Sequence, residues 1–331
     1  MGKKHNVAVV GVGAVGIEML RCLKQRNFPV GDLKVFARSA REIDVDGDKY
    51  SVEAISPEGF EGINIALFAG TEGEKGAAVT YAPEAIKRGV VVIDNGADFR
   101  LDPEVPLVVP EVNPEDVKQH NGLIANPNCA TIQMVVALAP IHKKVGLKRV
   151  IVSSYQAASG AGRAAADELL SQSKDILEGR EAHPKAMPKQ IAFNVFPHIG
   201  GFGELGYTSE EWKTVRETHK ILHDDTIKIS ATTVRVPVVT GHSESVYIRC
   251  KHKIKIDDIR KLLKESPGIK VIDDPSKGLY PTAIDGAGID DVLVGRIRQD
   301  AFNDNALWLW IVSDNLRKGA ALNAVQIAEL L

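Results

Sequence analysis

Cysteine, aromatic residues and an excess of charge of either sign are all scarce in this chain of 331 residues. It has three cysteines, 5% aromatic residues and a formal net charge of −2. So small a net charge gives no electrostatic basis for binding nucleic acid or an anionic membrane. The cysteines, at positions 22, 129 and 250, form no C-x-x-C pair or Cys/His cluster, so we expect neither a disulfide framework nor a metal site. We therefore expect a reducing, cytoplasmic compartment.

Long apolar runs are also missing. No stretch approaches the ~20 apolar residues that a membrane-spanning helix needs. The apolar run at residues 7–10 follows basic residues, but it ends at a glycine motif and is too short for a signal peptide. Apolar residues make up 44% and charged residues 25% of the chain. These proportions are typical of globular proteins, and the length suits about two domains.

A glycine motif follows the first predicted strand. Gly11, Gly13 and Gly16 match G-x-G-x-x-G between the strand at 7–10 and a helix that runs to about residue 26. The first glycine permits a tight turn, the second lets a pyrophosphate approach the backbone, and the third lets helix and strand pack closely. The pattern predicts a dinucleotide site formed by Gly11, Val12, Gly13, Ala14, Val15 and Gly16.

The end of the second predicted strand, residues 33–37, indicates which nucleotide binds. An NAD site would place Asp or Glu here to bind the ribose 2′-hydroxyl. This chain has Arg38, Ser39, Ala40 and Arg41 instead. The two arginines can pair with a 2′-phosphate and Ser39 can donate a hydrogen bond to it. We therefore predict NADP(H) rather than NAD(H), the alternative being two solvated surface arginines.

The order of predicted elements indicates an α/β fold in two domains. Strands at 7–10, 33–37, 63–68 and 90–93 alternate with helices, with 107–109 and 123–125 as edge strands, which predicts a Rossmann-type doubly wound parallel sheet. After residue 129, runs at 149–156, 227–239, 242–251 and 291–298 predict a mostly antiparallel sheet, with an amphipathic helix at 256–265. We predict an NADP-binding domain at 1–128, onto which 313–331 and its C-terminal helix pack back, and a catalytic and dimerisation domain at 129–312.

Cys129 is the strongest candidate for chemistry. It follows an Asn-Pro-Asn turn and opens an apolar helical run, where the helix dipole and free backbone N–H groups favour a thiolate nucleophile. Cys22 and Cys250 lie among apolar residues and fit a hydrophobic core. His242 precedes a strand in Thr-Gly-His-Ser-Glu and is either a proton partner facing a cleft or a plain turn histidine.

Several segments in order resemble the aspartate-semialdehyde dehydrogenase family over essentially the whole chain. They are Asn-Pro-Asn-Cys-Ala-Thr at 126–131, Ser-Tyr-Gln-Ala-Ala-Ser-Gly-Ala-Gly at 154–162, Thr-Ser-Glu-Glu-Trp-Lys at 208–213, Val-Arg-Val-Pro-Val-Val-Thr-Gly-His at 234–242 and Asp-Asn-Leu-Arg-Lys-Gly-Ala-Ala at 314–321. The resemblance implies NADP-dependent reductive dephosphorylation of L-4-aspartyl phosphate to L-aspartate 4-semialdehyde through a cysteine thioester. It also implies a homodimer.

The resemblance also implies roles for individual residues. Cys129 is the nucleophile, His242 the acid/base, and Gln156 positions the substrate. Arg235 holds the α-carboxylate and Glu210 the α-amino group, with Glu211 as the alternative if the register slips by one. Lys213 and Arg100 hold the phosphate. Ser159, Gly160 and Asn315 lie near the cofactor.

One segment departs from the pattern of the family, and two other functions are alternatives to the one that the resemblance implies. After the strand at 63–68, relatives have a Ser/Gly-rich turn, whereas this chain has Glu72, which would repel cofactor phosphates unless it points outward. The nearest rival is N-acetylglutamyl-phosphate reductase or another cysteine-dependent phosphorylating aldehyde dehydrogenase. The other is a non-catalytic dinucleotide sensor, against which the joint presence of Cys129, Gln156, Arg235 and His242 argues.

Overall fold

The structure, a computed structural model, describes residues 4–70, 73 and 76–331. The chain divides into two compact units, one of residues 1–128 and 320–331 and the other of residues 129–319. Each unit is built around one sheet. Glu72 lies outside the described residues.

The first unit contains a seven-stranded sheet in the order β3-β4-β2-β1-β5-β6-β7. All neighbours are parallel except the antiparallel pair β3 and β4. The strands are β1 (His5–Val10), β2 (Val30–Ala37), β3 (Arg41–Val45), β4 (Asp48–Ala54), β5 (Ile65–Phe68), β6 (Val91–Asp94) and β7 (Leu123–Ala125), and the helices are α1 (Ala14–Gln25) and α2 (Ala77–Lys87). Chain order reverses between β1 and β5, and ligands bind at the carboxyl ends of strands at such a point.

Two details of this sheet differ from the sequence prediction. Residues 41–54 form the hairpin β3–β4, which was not predicted, although Asp46 and Gly47 both adopt positive φ in a tight turn that favours a hairpin. Residues 107–109 were predicted as a strand, but Leu107 makes only an isolated bridge with Ala125. The doubly wound parallel sheet itself is confirmed.

The second unit contains a six-stranded sheet in the order β11-β12-β13-β10-β8-β9. Its three central pairings, β12–β13, β13–β10 and β10–β8, are antiparallel, whereas the two outer pairs are parallel. The strands are β8 (Leu147–Gln156), β9 (Lys228–Arg235), β10 (His242–Cys250), β11 (Ile269–Val271), β12 (Val292–Gln299) and β13 (Ala306–Ser313), and the helices are α3 (Cys129–Val145), α4 (Arg163–Leu177), α5 (Ser209–Leu222), α6 (Ile256–Glu265) and α7 (Ala283–Gly286). The mostly antiparallel second sheet is therefore also confirmed.

The C-terminal segment passes from the second unit to the first. A π-helical turn, Arg317–Ala321, leads into α8 (Leu322–Ala328). In the first unit, α8 joins the apolar core that also contains Met19 and Leu23 of α1. The first unit resumes at Ala320, later than the predicted boundary at 313, because residues 314–319 are tied to loops of the second unit: Asn315 accepts from Gly241 N at 2.9 Å and Asp314 from Gly288 N at 2.7 Å.

Among the described residues, no helix combines the length and the apolar character needed to cross a membrane.

Candidate active site

The glycine turn of the first unit has the geometry that its motif predicts. Gly11 has φ +100°, and a Cβ there would lie 2.7 Å from the Ala69 carbonyl oxygen. At Gly16 a Cβ would lie 1.8 Å from the Gly11 carbonyl oxygen, so any side chain would force α1 away from β1. A Cβ at Gly13 would meet nothing within 4 Å, which leaves the backbone before α1 open to a ligand. Free N–H groups at this helix start suit a pyrophosphate.

A cavity of about 730 Å³ opens at this turn. Its walls come from the ends of β1, β2 and β5 and from the first turns of α2, and they include Val10, Gly11, Val12, Gly13, Ala37, Arg38, Arg41, Ile55, Ala69, Gly70, Ala77, Thr80 and Tyr81. Two arginines and a glycine turn around one cavity fit an anionic dinucleotide.

The predicted cofactor residues divide into two groups around this cavity. Gly11, Val12, Gly13 and Arg38 line it. Ala14, Val15, Gly16, Ser39 and Ala40 are not among its wall residues, and the side chain of Val15 packs against the core of the unit. Thr80 and Tyr81 line the cavity but were not predicted. Their position in the helix after β5, beside the point where strand order reverses, could have indicated them.

Arg100 lies in the first unit and is 6% exposed. Its Nε donates to the Asn126 carbonyl at 2.9 Å and its Nη2 to the Asn95 carbonyl at 2.7 Å. These two backbone acceptors lie next to the carboxyl ends of β7 and β6, and they hold the guanidinium in one orientation.

In the second unit, the inner face of the sheet carries polar side chains in two successive rows. Because side chains alternate along a strand, cross-strand partners share a face. Strand register places the first row as Arg235, Gln156, His242 and Ser313, and the second as Thr233, Ser154, Glu244 and Ile311. The next row is apolar, with Ala231, Val152, Val246 and Leu309. Polar groups therefore concentrate at one end of this face.

Helix α3 contacts β8, β10 and β13 of this sheet, and its first residue is Cys129. Cys129 is partly exposed, and its sulfur lies 3.3 Å from Nε2 of His242, which is 0% exposed. Nδ1 of His242 accepts the Ala157 backbone N–H at 3.1 Å. Gly319 makes room for the cysteine, because a Cβ at that position would lie 2.9 Å from the Cys129 Cβ. The sequence motif and the strand-edge histidine are thus in direct contact.

Arg235 is the buried positive charge of this site. It is 4% exposed, and its Nη1 donates to the Ala157 carbonyl at 2.6 Å. Burial lowers the pKa of Arg235, while the charges of Cys129 and Glu210 partly offset that effect. The guanidinium in turn attracts negative charge, so it favours a thiolate at Cys129 and can hold a substrate carboxylate.

Gln156 and Glu210 connect the sheet to α5. Gln156 Nε2 lies 3.3 Å from Ser154 Oγ and 3.4 Å from Glu210 Oε1. The other Glu210 oxygen lies 3.6 Å from Lys213 Nζ, one turn along α5. The Glu210 side chain is 9% exposed and the Lys213 side chain is 29% exposed. A nearly buried anion therefore lies beside a cation that reaches the solvent.

Glu211 faces a different environment from Glu210. One of its oxygens accepts the Thr208 backbone N–H at 2.7 Å, completing a capping box, and the other accepts the Thr233 N–H at 3.0 Å. One oxygen therefore caps the start of α5, and the other joins α5 to β9. This leaves Glu210 as the acidic residue directed toward Gln156.

Gly160 lies against His242, and Ser159 and Asn315 are hydrogen-bonded to each other near its neighbour Gly241. Asn315 donates to Ser159 Oγ at 3.0 Å, and its carbonyl oxygen accepts from Gly241 N, beside His242. A Cβ on Gly160 would lie 2.9 Å from His242 Cε1, 3.0 Å from its Nε2 and 3.1 Å from Arg235 Nη1. Glycine at 160 therefore lets the backbone cover the imidazole without displacing it.

Glu244 is a buried acid that the sequence analysis did not identify. It is 0% exposed, and neither carboxylate oxygen has a hydrogen-bond partner of good geometry among the described residues. Burial raises the pKa of Glu244 to about 8, against an opposing effect of Gln133 of α3. Its position two residues after His242 on a strand, and so on the same face, was the available signal.

The other two cysteines are buried in apolar surroundings. Cys22 belongs to the core of the first unit. Burial raises the pKa of Cys250 to about 11, so it remains a thiol at neutral pH. Within the described ranges, no group of three or more His, Cys, Asp or Glu side chains could bind a metal ion.

The arrangement in the second unit places a cysteine sulfur in contact with a histidine, next to buried charged groups of both signs. Known proteins show the same combination of domains. The semialdehyde dehydrogenase NAD-binding domain matches residues 6–120, and the semialdehyde dehydrogenase dimerisation domain matches residues 138–318. A nicotinamide dinucleotide is therefore the cofactor of this protein.

Relatives match along the whole chain. Aspartate-semialdehyde dehydrogenase of Bacillus subtilis is 52% identical over 100% of this chain and 98% of its own, and that of Aquifex aeolicus is 53% identical over 99% and 98%. The solved structure of aspartate semialdehyde dehydrogenase II from Vibrio cholerae complexed with ASA is 44% identical and superposes with a TM-score of 0.95 over 100% of this chain and 98% of that one. With this agreement in sequence and fold, the chain belongs to the aspartate-semialdehyde dehydrogenase family.

Proposed function

We propose that this chain catalyses the reversible, NADP-dependent reductive dephosphorylation of L-4-aspartyl phosphate to L-aspartate 4-semialdehyde. The observation that carries this proposal is the contact of 3.3 Å between Cys129 Sγ and His242 Nε2, beside the buried Arg235. The product serves the biosynthesis of lysine and diaminopimelate, threonine, methionine and isoleucine. A cytoplasmic location accords with this role and with a free thiol as the nucleophile.

The chemistry proceeds through a thioester. The Cys129 thiolate attacks the acyl carbon, a C–S bond forms, and phosphate leaves with the electron pair of the C–O bond. NADPH then transfers hydride to the thioester carbon, which is reduced while the cofactor is oxidised. The thiohemiacetal oxyanion collapses to the aldehyde, and the C–S electron pair returns to sulfur. Covalent catalysis thus replaces one difficult displacement by two easier steps.

The second unit recognises the substrate by charge. Arg235 offers a planar fork that suits the α-carboxylate. Glu210 binds the α-ammonium, since its neighbour Glu211 is engaged by two backbone N–H groups. Lys213, one turn from Glu210, binds the phosphate, and Arg100 shares this role by resemblance to the family. Gln156 contacts Glu210 and orients the substrate between these charges. A free ammonium in the substrate distinguishes this reaction from that of an N-acetylated glutamyl phosphate.

The cofactor is NADP(H) rather than NAD(H). Arg38 and Arg41 both line the cavity at the glycine turn, and no acidic residue is among the described residues of its walls. Arg41 Nη1 lies 3.4 Å from Ser39 Oγ, so the arginine and the serine are already adjacent. These groups suit a 2′-phosphate. Ser159, Gly160 and Asn315 contact the cofactor, as the family resemblance implies.

The two units have different roles. Residues 1–128 and 320–331 bind NADP(H), and residues 129–319 carry catalysis and dimerisation. The outer face of the six-stranded sheet carries half-buried aromatic pairs, Tyr155 with Trp310 at 5.6 Å and Tyr247 with Trp308 at 5.2 Å between ring centroids. A second copy of this chain covers this face to form a homodimer, in accord with the dimerisation domain that matches here.

The deciding experiment is phosphate-dependent reduction of NADP by the purified protein. L-Aspartate 4-semialdehyde is compared with N-acetylglutamate semialdehyde and glyceraldehyde 3-phosphate at equal concentrations. We expect turnover with the first aldehyde, at least about 10²-fold above the other two, because their charges do not match Arg235 and Glu210. Equal turnover, or preference for another aldehyde, would refute the proposal.

Two variants make this assay specific for the thiol. Cys129→Ser should lower kcat by at least about 10³-fold while NADPH binding, followed by fluorescence, stays nearly unchanged, because a serine hydroxyl is not ionised at neutral pH. Cys250→Ala is the matched control and should keep near-normal activity, since that thiol is buried and protonated. Near-normal turnover of Cys129→Ser would end the thioester mechanism.

A further inference from the structure

Arg100 of the first unit is held by the main chains of two asparagines. Its Nε donates to the Asn126 carbonyl at 2.9 Å and its Nη2 to the Asn95 carbonyl at 2.7 Å. The side chains of the same two asparagines are also joined, because Asn126 Nδ2 donates to Asn95 Oδ1 at 2.9 Å. Since a guanidinium is planar and rigid, the position of this asparagine pair sets the plane of the Arg100 fork.

A third asparagine, Asn323 of α8, anchors this pair. It is 0% exposed, and its Nδ2 donates to Asn126 Oδ1 at 2.7 Å and to the Val108 carbonyl at 3.0 Å. An amide nitrogen has two N–H donors, so both are used here. Asn323 and Asn126 are 197 residues apart in the chain, and folding of the C-terminal segment onto the first unit brings them together.

The three side-chain amides have one direction. Asn323 donates to Asn126, Asn126 donates to Asn95, and Asn95 Nδ2 donates to the Phe68 carbonyl at 3.1 Å. The main-chain carbonyls of Val108 and Phe68 stand at the two ends, and a carbonyl can only accept. Turning any one amide over would bring two acceptors together, so each amide has one orientation. Hydrogen bonds in such a chain also strengthen one another.

We propose that Asn323 is a positioning residue for Arg100, and through it for the phosphate of the reaction. This inference rests on the proposed function, in which Arg100 shares phosphate binding with Lys213. Asn323 is fully buried and does not touch the phosphate itself. It fixes the two carbonyls against which the guanidinium lies, so the fork is already oriented when phosphate binds. A preorganised group loses less conformational entropy on binding, which increases the affinity for phosphate.

Kinetics of semialdehyde oxidation with each substrate varied in turn test this role. We expect Asn323→Leu to raise the KM for phosphate by at least about tenfold and those for the semialdehyde and NADP by less than about twofold, because Arg100 alone loses its orientation. Gln326→Leu is the matched control, since Gln326 also lies on α8 but donates to Glu111, at 3.1 Å. Equal changes in all three KM values, or a lower kcat at unchanged phosphate KM, would overturn the proposal.

A double variant shows whether the effect passes through Arg100. In Arg100→Lys the ammonium keeps the positive charge but has no planar fork to orient. We therefore expect Asn323→Leu to change the phosphate KM by less than about twofold in this background, against at least about tenfold in the wild-type background. Equal effects in both backgrounds would mean that Asn323 acts independently of Arg100, contrary to the proposal.

A measurement without turnover tests the orientation itself. In ¹⁵N-labelled protein, the Arg100 Nε–H signal is identified by its absence from the spectrum of Arg100→Lys. We expect its exchange with solvent to be slow in wild type and in Gln326→Leu, and at least about tenfold faster in Asn323→Leu, because Nε donates to the Asn126 carbonyl.

Rapid exchange in the wild-type protein, or an unchanged rate in the variant, would overturn the proposal. Asn323→Ser, which keeps a smaller donor, replaces the leucine variant if that protein does not fold, and the same direction of change is expected. Absence of semialdehyde turnover by the wild-type enzyme would instead refute the proposed function, and the exchange rates would still decide whether Asn323 orients Arg100.

Discussion

At the scale of single residues, Ala157 organises the site through its main chain. Its N–H binds the imidazole of His242 and its carbonyl binds the guanidinium of Arg235 at 2.6 Å. No property of an alanine side chain indicates this role, because both interactions use backbone groups that every residue except proline possesses. The positions of His242 and Arg235 thus depend on the chain path just after β8.

Gly160 should be intolerant of even one methyl group. We expect Gly160→Ala to lower kcat/KM for the semialdehyde by about 10²-fold, because the added Cβ would lie 2.9 Å from His242 Cε1 and 3.1 Å from Arg235 Nη1. Steady-state kinetics test this. Gly201→Ala is the matched control, since its Cβ would meet nothing within 4 Å and activity should stay within about twofold. An unchanged Gly160→Ala enzyme would contradict the described packing.

At the scale of elements, the strand register of the second sheet assembles the site. Arg235, Gln156 and His242 come from three strands, yet they form one row across β9, β8 and β10. A shift of one residue in any strand would turn its side chain to the other face. The capping box of α5, with Glu211 bound to Thr233 of β9, holds Glu210 beside this row.

The turn after β2 should control cofactor preference. Arg38 lines the cavity of about 730 Å³ at the glycine turn, and a 2′-phosphate occurs in NADPH but not in NADH. We expect Arg38→Ala to raise the KM for NADPH by at least about tenfold and that for NADH by less than about twofold, since a charge-assisted hydrogen bond contributes roughly 1.5–3 kcal/mol. Initial rates with each cofactor measure this. Equal changes for both would show that Arg38 does not recognise the phosphate.

At the scale of the whole molecule, Glu244 makes stability depend on pH. Burial raises its pKa to about 8 from a reference value of 4.5. Between these values the folded protein holds a proton that the unfolded chain releases, so the free energy of unfolding falls as pH rises from about 4.5 to 8. Glu244→Gln keeps the shape without the ionisation. We expect the stability of the variant, relative to wild type, to increase over this range by up to about 1.4 kcal/mol per pH unit.

Thermal unfolding of both proteins at pH 5, 6, 7 and 8 measures this effect. Glu181→Gln is the control, because Glu181 is exposed on the surface and the same change there should leave the difference flat with pH. A relative stability of Glu244→Gln that is constant across the series would mean that Glu244 is hydrated or paired in the folded state.

Much of this fold could be predicted because its signals are local. The apolar run of β1, the glycine motif and the alternation of strands and helices all lie within short windows, and the parallel and mostly antiparallel sheets are confirmed. The hairpin β3–β4 was missed although Asp46-Gly47 is a strong turn signal, since its strands are mostly polar and half exposed at the edge of the sheet. Residues 107–109 have strand-like composition but lack a continuous partner.

The amino-acid sequence by itself determined the two-sheet architecture, the dinucleotide motif and Cys129 as a candidate nucleophile, because helix starts and glycine turns are encoded by neighbouring residues. Only the tertiary structure decided which acid on α5 is directed toward Gln156, that Gly160 covers an imidazole, and that a main-chain N–H binds the ring of His242. These features depend on atoms far apart in the chain, such as Ala157 N and His242 Nδ1. Strand pairing and main-chain hydrogen bonds bring them together, and neither is visible in residue types.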